Sequence, residues 1–177
     1  MGRDIIPNHI GLNIKNYNSN VAVKTMQLIL LSLLLNSALL TGNEFAVAAF
    51  IHPSLSDDNH RSNLSAIQRF ANLYGKVMPI WMGVTTALHI FVCALAWFYF
   101  RSAFSWLFAA ALIWAIIVPY SLIFPVPLNN QVKEWDLDNL PSNWEEIRSK
   151  WDFYNWIRVM FLISAFVLLA TGFNVYS

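Results

Sequence analysis

Four long apolar runs, separated by polar segments, organise this chain. They cover about residues 25–51, 78–100, 103–124 and 156–173. A helix needs about 20 apolar residues to cross the roughly 30 Å hydrocarbon layer of a membrane, and each run is about that long. Because unpaired backbone groups are costly in lipid, the pattern predicts four transmembrane helices rather than irregular segments.

The segments between the runs predict how these helices are connected. "FRSAF" at 100–104 gives a tight antiparallel hairpin between the second and third helices. The prolines of "PVP" at 125–127 end the third helix, because a proline ring cannot continue it. The longest connection covers 125–155, and its "LPSNWEEIRSKW" predicts the start of a short helix outside the membrane.

The predicted fold class is therefore all-α: a four-helix transmembrane bundle with an extramembrane loop containing a short helix between helices three and four. We divide the chain into a polar, Asn-rich N-terminal arm, residues 1–23, and a single four-helix transmembrane domain, residues 24–177. The predicted location is integral to a membrane, with several passes and the lipid bilayer as a partner.

Composition supports this interpretation and narrows the function. Only 12% of residues are charged, against about a quarter in soluble domains. The net charge of +1 offers no basic surface for nucleic acid. The chain has a single cysteine, Cys93, so it has no intrachain disulfide. The sequence motifs of common soluble enzymes, such as GxGxxG, the P-loop and HExxH, are absent.

Polar residues gather at one end of the predicted bundle, which we call the polar end. Helices one and three end there, and helices two and four begin there. Glu44 lies about two turns before the end of helix one, His52 lies at that end, and His89 lies about three turns into helix two. At about 1.5 Å per residue, Glu44 and His89 could lie within ~6 Å of each other in depth. The other candidates at this end are Tyr120, Asn129, Asn130, Trp151, Asn155 and Arg158.

Ionisable residues inside a membrane are costly unless paired, so they indicate function. Structural interpretations stay open beside the functional ones. Glu44 could pair with Arg158 and pin helix one to helix four. His52 could be an ordinary residue at the interface, and a neutral His89 could hydrogen-bond to a neighbouring helix. The polar pair on helix one that we expect to join helices rather than bind a ligand is Asn36 and Asn43.

Four segments together carry a family resemblance. They are "TGNEFAVAAFIHPSL", "HIFVCALAWFYF", "IIVPYSLIFPVPLNNQV" and "WEEIRSKWDFYNWIRVMFLISAFVLLATG". In this order and spacing they resemble the DUF1772 family of integral membrane proteins, which includes the anthrone oxygenases of aromatic polyketide pathways. The resemblance covers about residues 26–173. The site positions that it implies are His52, Asn130, Trp151, Asn155 and Arg158. Glu44 and His89 are candidates from topology alone.

The resemblance implies a membrane-embedded monooxygenase whose substrates are molecular oxygen and a small hydrophobic aromatic molecule, with conversion of an anthrone to an anthraquinone. An anthrone anion is electron-rich enough to react with oxygen directly, so the preferred hypothesis requires no cofactor. His52 or His89 would act as the base, and Arg158 and Asn155 would stabilise the enolate oxygen. The candidates for binding the substrate are Trp114, Tyr120, Asn130 and Trp151.

Other hypotheses also fit the sequence. Glu44, His52 and His89 could hold copper or iron that activates oxygen. The chain could be a small transporter, although broken helices or inverted repeats would then be expected. It could also be a structural or assembly protein whose polar end binds a partner.

Overall fold

The structure, a computed structural model, describes residues 8–55 and 61–176, with side chains described from residue 21 and, after the gap, from residue 62. The elements are α1 (Asn8–Ala46), a π-helical turn (Val47–Ile51), α2 (His52–Ser54), α3 (Arg61–Tyr99), α4 (Arg101–Ile123), α5 (Pro125–Lys133) and α6 (Trp144–Tyr176). Within the described residues, four helical stretches are long and apolar enough to cross a membrane: Val21–Ser54, Ser62–Tyr99, Arg101–Lys133 and Trp144–Tyr176. The predicted all-α, four-helix transmembrane fold is confirmed, and the protein is a multi-pass integral membrane protein.

Three helices extend further than their apolar runs predict. α1 begins at Asn8, so residues 8–23 of the predicted polar arm are helical, while residues 1–7 lie outside the described part. α3 begins at Arg61 and includes most of the predicted first connection. α6 begins at Trp144, so the helix predicted in the long loop is the first part of helix four. A separate short helix does lie between α4 and α6, but it is α5.

The extensions pack together as a small core outside the four apolar runs predicted from the sequence. Leu64, Ile67 and Ala71 are spaced so that they share one face of α3, and all three are buried. They pack with Val132, Trp135 and Trp151. The Gln68 amide donates hydrogen bonds to the main-chain oxygens of Lys133 (2.8 Å) and Trp135 (3.0 Å). α5 and the start of α6 are therefore held against α3.

The opposite end of the bundle, which we call the apolar end, is filled by aliphatic side chains. Its buried residues are Met26, Leu30, Leu33, Val92, Ala96, Ala103, Leu107, Ala110 and Leu169. A side-chain carbon added at Gly172 would lie 3.0 Å from Leu107 Cδ2. Small residues therefore let α4 and α6 approach closely, as is typical of helix packing in membranes.

Hydrogen bonds join α1 to α3 along the middle of the bundle. The Asn36 side chain donates to Thr85 Oγ1 (2.8 Å) and accepts from Trp81 Nε1 (2.9 Å). The Tyr74 hydroxyl donates to Asn43 Oδ1 (2.9 Å). The prediction that Asn36 and Asn43 join helices is confirmed.

Candidate functional site

The end of α1 is irregular where the site begins. A π-helical turn covers Val47–Ile51, and His52 follows it directly. Short π-helical turns are rare and often occur at functional sites. His52 is buried, its Nδ1 lies 2.6 Å from Asp152 Oδ1, and its ring centroid lies 4.5 Å from that of Trp151. Arg148 donates hydrogen bonds to the main-chain oxygens of His52 (3.0 Å) and Leu55 (3.1 Å). α6 therefore holds both the His52 side chain and its backbone.

A buried ion pair connects the same two helices one level deeper. Arg158 Nη2 donates to Glu44 Oε2, and the residues are 9% and 1% exposed. This is the pairing of helix one with helix four that the sequence leaves open. Glu44 Oε1 and Arg158 Nε have no hydrogen-bond partner among the described residues. The pair is formally neutral, which lowers the free-energy cost of burying the two charges. Glu44 Oε1 can still accept a hydrogen bond, and Arg158 Nε can still donate one.

A cavity of about 210 Å³ lies beside these groups, between the end of α1 and the helices α3 to α6. Most of its lining is apolar. The polar residues in the lining are His52, Tyr74, Ser121, Asn129, Asn155 and Arg158. Ser121 Oγ and Asn155 Oδ1 are buried without a partner in the described part of the chain. An apolar cavity with a few convergent polar groups is the usual form of a small-molecule site.

A break between α4 and α5 shapes one wall of this cavity. Phe124 (φ −107°, ψ −71°) separates the two helices, and α5 begins at Pro125. The turn brings Asn129 onto the lining, where its Nδ2 donates to Ala71 O (3.0 Å). A side-chain carbon at Gly75 would meet the ends of the Lys133 and Asn129 side chains. A larger residue at this position would therefore displace these two side chains where α3 passes α5.

Several of the predicted site residues meet in this cavity. His52, Trp151, Asn155 and Arg158 all line it, and Glu44 is bonded to Arg158.

Asn130, however, does not line it. Asn130 is exposed and accepts a hydrogen bond from Lys133 Nζ (3.0 Å), whereas its neighbour Asn129 faces the cavity. The sequence places an Asn-Asn pair at the end of helix three, but only the rotation of α5 decides which of the two faces inward.

Three other predicted residues lie away from the cavity lining. His89 Nδ1 lies 2.9 Å from Thr85 O, and its ring packs against Trp114 at 5.1 Å in the bundle core. The Tyr120 hydroxyl donates to Tyr154 O of α6 (3.2 Å), and Tyr120 is not part of the cavity lining. Sequence spacing predicts how deep a residue lies along a helix. It does not predict how the helix is rotated about its axis, and this rotation decides whether the side chain faces the cavity.

The three candidate metal ligands, Glu44, His52 and His89, each have a different partner. Among residues 8–55 and 61–176, no group of three or more His, Cys, Asp or Glu side chains is arranged to hold a metal ion. Glu44 pairs with Arg158, His52 with Asp152, and His89 with Thr85.

Asp152 and Arg148 are the contacts that sequence reasoning missed. Five α6 residues bond to His52 or Glu44, pack against the His52 ring or line the cavity: Arg148, Trp151, Asp152, Asn155 and Arg158. They follow a helical spacing of three and four residues and therefore form one stripe. This stripe can be recognised in the sequence if α6 is taken to begin at Trp144. Our prediction that helix four begins near Trp156 left most of these residues outside the helix, so their common face was not recognised.

Comparison with known protein families shows that the family model described as Anthrone oxygenase matches residues 70–168. The match includes most of α3, all of α4 and α5, and most of α6. These helices supply every described residue of the cavity lining except Val47 and His52. Comparisons with curated proteins and with solved structures give no match.

Proposed function

The chain belongs to the anthrone oxygenase family, and we propose that it is a membrane oxygenase that converts the methylene of an anthrone-type substrate to a ketone with molecular oxygen. The observation that carries the proposal is the cavity itself. It brings the buried His52, which is paired with the partly exposed Asp152, beside Asn155 and Arg158. A base and oxyanion-stabilising donors are the two groups that this chemistry requires.

The lining of the cavity suits a flat aromatic substrate. Its largely apolar walls exclude water from a tricyclic ring system, and the Trp151 side chain beside His52 offers an aromatic surface for ring packing. The few polar groups are positioned to fix the orientation of oxygen substituents.

His52 is the proposed base. When its Nδ1 carries the proton and donates to Asp152, the lone pair of the neutral ring is on Nε2. Nε2 removes a proton from the substrate methylene, and the Asp152 carboxylate stabilises the resulting imidazolium, as in other histidine–carboxylate pairs. Asp152 therefore acts as a positioning residue.

Arg158 and Asn155 are the proposed stabilisers of the negative charge. Deprotonation moves charge onto the substrate carbonyl oxygen, and the Arg158 Nε–H and the Asn155 amide can both donate to an oxygen in the cavity. Donors fixed before the reaction stabilise such charge more effectively than mobile water does. Glu44 pairs with Arg158 and so lowers the free-energy cost of placing a charged guanidinium inside the membrane.

The remaining steps need only oxygen. The carbanion transfers two electrons to O₂ in one-electron steps, and a carbon–oxygen bond forms. The peroxide takes up the proton held by His52. Loss of the second methylene hydrogen then cleaves the oxygen–oxygen bond, giving the ketone and one water. We propose that no cofactor takes part, so chelation of metal ions should leave the rate unchanged. A rate lost on chelation and restored by copper or iron would contradict this.

The test is oxygen-dependent conversion of a simple anthrone by membranes that contain the protein. Empty-vector membranes measure the spontaneous oxidation, and membranes containing the His52→Gln variant control for any effect of the expressed protein on substrate partitioning. With isotopically labelled O₂, we expect one labelled atom in the quinone. A wild-type rate equal to that of both controls would contradict the proposal.

A structural role for the polar end is the second candidate. The observation that favours it is the buried Glu44–Arg158 ion pair, which joins α1 to α6. This role predicts that stability depends on the pair while His52 is dispensable. The oxygenase predicts that His52 is indispensable.

A further inference from the structure

The cavity has a mouth on the side of the bundle. Among the described residues that line it, only two are exposed: Pro79 on α3 and Leu122 on α4. Leu122 is 57% exposed, although it lies in a membrane-spanning stretch. The cavity therefore opens between α3 and α4.

The mouth lies near one boundary of the hydrocarbon layer. α4 begins at Arg101, and at 1.5 Å per residue Leu122 lies about 30 Å further along, which is the thickness of that layer. Pro79 lies about the same distance from the end of α3 at Tyr99. Both sides of the mouth are thus at the lipid–water boundary of the polar end.

The surroundings of the mouth face lipid rather than water. Exposed apolar neighbours include Ile80 (70%), Val84 (53%) and Ile123 (64%). On the water side, α5 is closed against α3, since Asn129 donates to Ala71 O and Lys133 lies against Gly75.

We propose that this mouth is a lateral portal through which a flat apolar substrate dissolved in the bilayer enters the cavity and the product returns. The identity of the substrate rests on the proposed function, whereas the portal rests on the lining and its exposure. A boundary position suits a tricyclic molecule with oxygen substituents, because its rings partition into lipid while its oxygens stay near water.

Two neighbouring residues provide a matched pair for a kinetic test. Leu122 lines the cavity, while Ile123 is equally lipid-exposed but does not. With anthrone supplied in lipid nanodiscs, Leu122→Trp should lower kcat/KM about tenfold and Ile123→Trp by less than about twofold. Equal effects of the two substitutions would overturn the portal.

A binding test separates the portal from the oxidation chemistry. In a Cys93→Ser background, which removes the single cysteine, Leu122→Cys and Ile123→Cys are labelled with a lipid-soluble maleimide. Anthraquinone, which is not oxidised further, should slow labelling at position 122 by about tenfold and leave position 123 unchanged. Protection without turnover would support the portal and reject the proposed function. Turnover with equal protection at positions 122 and 123 would support the proposed function and reject the portal.

Discussion

The two ends of the bundle follow different rules of construction. The apolar end is filled by side chains such as Leu30, Leu33 and Leu169, and small residues allow close helix approach. The polar end contains a π-helical turn, a helix break at Phe124, a buried ion pair and a cavity. Departures from regular structure are costly, and they concentrate where proteins bind or react.

Unpartnered polar atoms lie both around the cavity and deeper in the bundle. In the described part of the chain, eight buried side-chain polar atoms have no partner, and three of them belong to residues of the cavity lining: Ser121, Asn155 and Arg158. Each such atom costs about 1–3 kcal/mol relative to a satisfied one. The comparison predicts that changes at the apolar end alter stability alone, whereas changes at the cavity alter activity.

Replacement of His52 should have the largest effect. We expect His52→Ala to lower kcat about a thousandfold, the usual contribution of a general base, while the folded state survives. His89→Ala is the matched control, since His89 lies outside the cavity lining, and it should lower kcat by less than about threefold. Turnover of anthrone in nanodiscs, corrected for spontaneous oxidation, measures both. Equal losses would invalidate the choice of base.

Breaking the Glu44–Arg158 pair should have the next largest effect. Glu44→Leu leaves the Arg158 charge buried and should cost about 3–5 kcal/mol of unfolding free energy. The double variant Glu44→Leu, Arg158→Met should recover most of that stability, because no charge remains buried. Denaturation in micelles measures the stability of each variant.

The same double variant also tests catalysis. It should be folded but inactive, since the donor to the substrate oxygen is missing. Full activity in a stable double variant would show that the Glu44–Arg158 pair has only a structural role.

A packing defect introduced at the apolar end should lower the stability of the protein but not its activity. Leu30 is fully buried, and Leu30→Ala should cost about 2–3 kcal/mol through lost packing, since lipid replaces water as the reference environment. Activity per folded molecule should match wild type, as measured by turnover normalised to the folded fraction. A loss of normalised activity would mean that the two ends are coupled.

The smallest expected effect is that of Asp152. Asp152→Asn keeps the shape but no longer stabilises a charged His52, so kcat should fall about tenfold with KM unchanged. The loss is modest because the Asp152 side chain is 33% exposed and water can partly substitute for it. Glu145→Gln, an exposed change on the same helix, should be neutral. An identical kcat for Asp152→Asn would remove Asp152 from the mechanism.

Much of the fold could be predicted from the sequence, because lipid imposes strong rules on apolar length. The four spans and the bundle follow from these rules, whereas the helix extensions do not. The amphipathic stretch 64–77 satisfies the helical pattern, but only its contacts with Val132 and Trp135 make it part of α3.

The site was only partly predictable for a related reason. His52, Asn155 and Arg158 are polar in apolar surroundings, so sequence reasoning finds them. Choosing Asn129 over Asn130, or leaving His89 out of the cavity, requires the rotation of each helix about its axis, and spacing alone does not determine it.

The π-helical turn has a consequence for how the chain tolerates insertions and deletions. In a regular α-helix, eight residues rotate the chain by two full turns and about 80° more, so His52 would point about 80° to one side of Glu44. The wider turn at Val47–Ile51 winds more slowly and reduces that angular offset. Removing one residue from this turn would restore a regular α-helix in which Glu44 and His52 are seven residues apart and differ by only about 20° in direction. The turn should therefore let this part of α1 tolerate a one-residue deletion, because the imidazole would still face the side that carries Glu44.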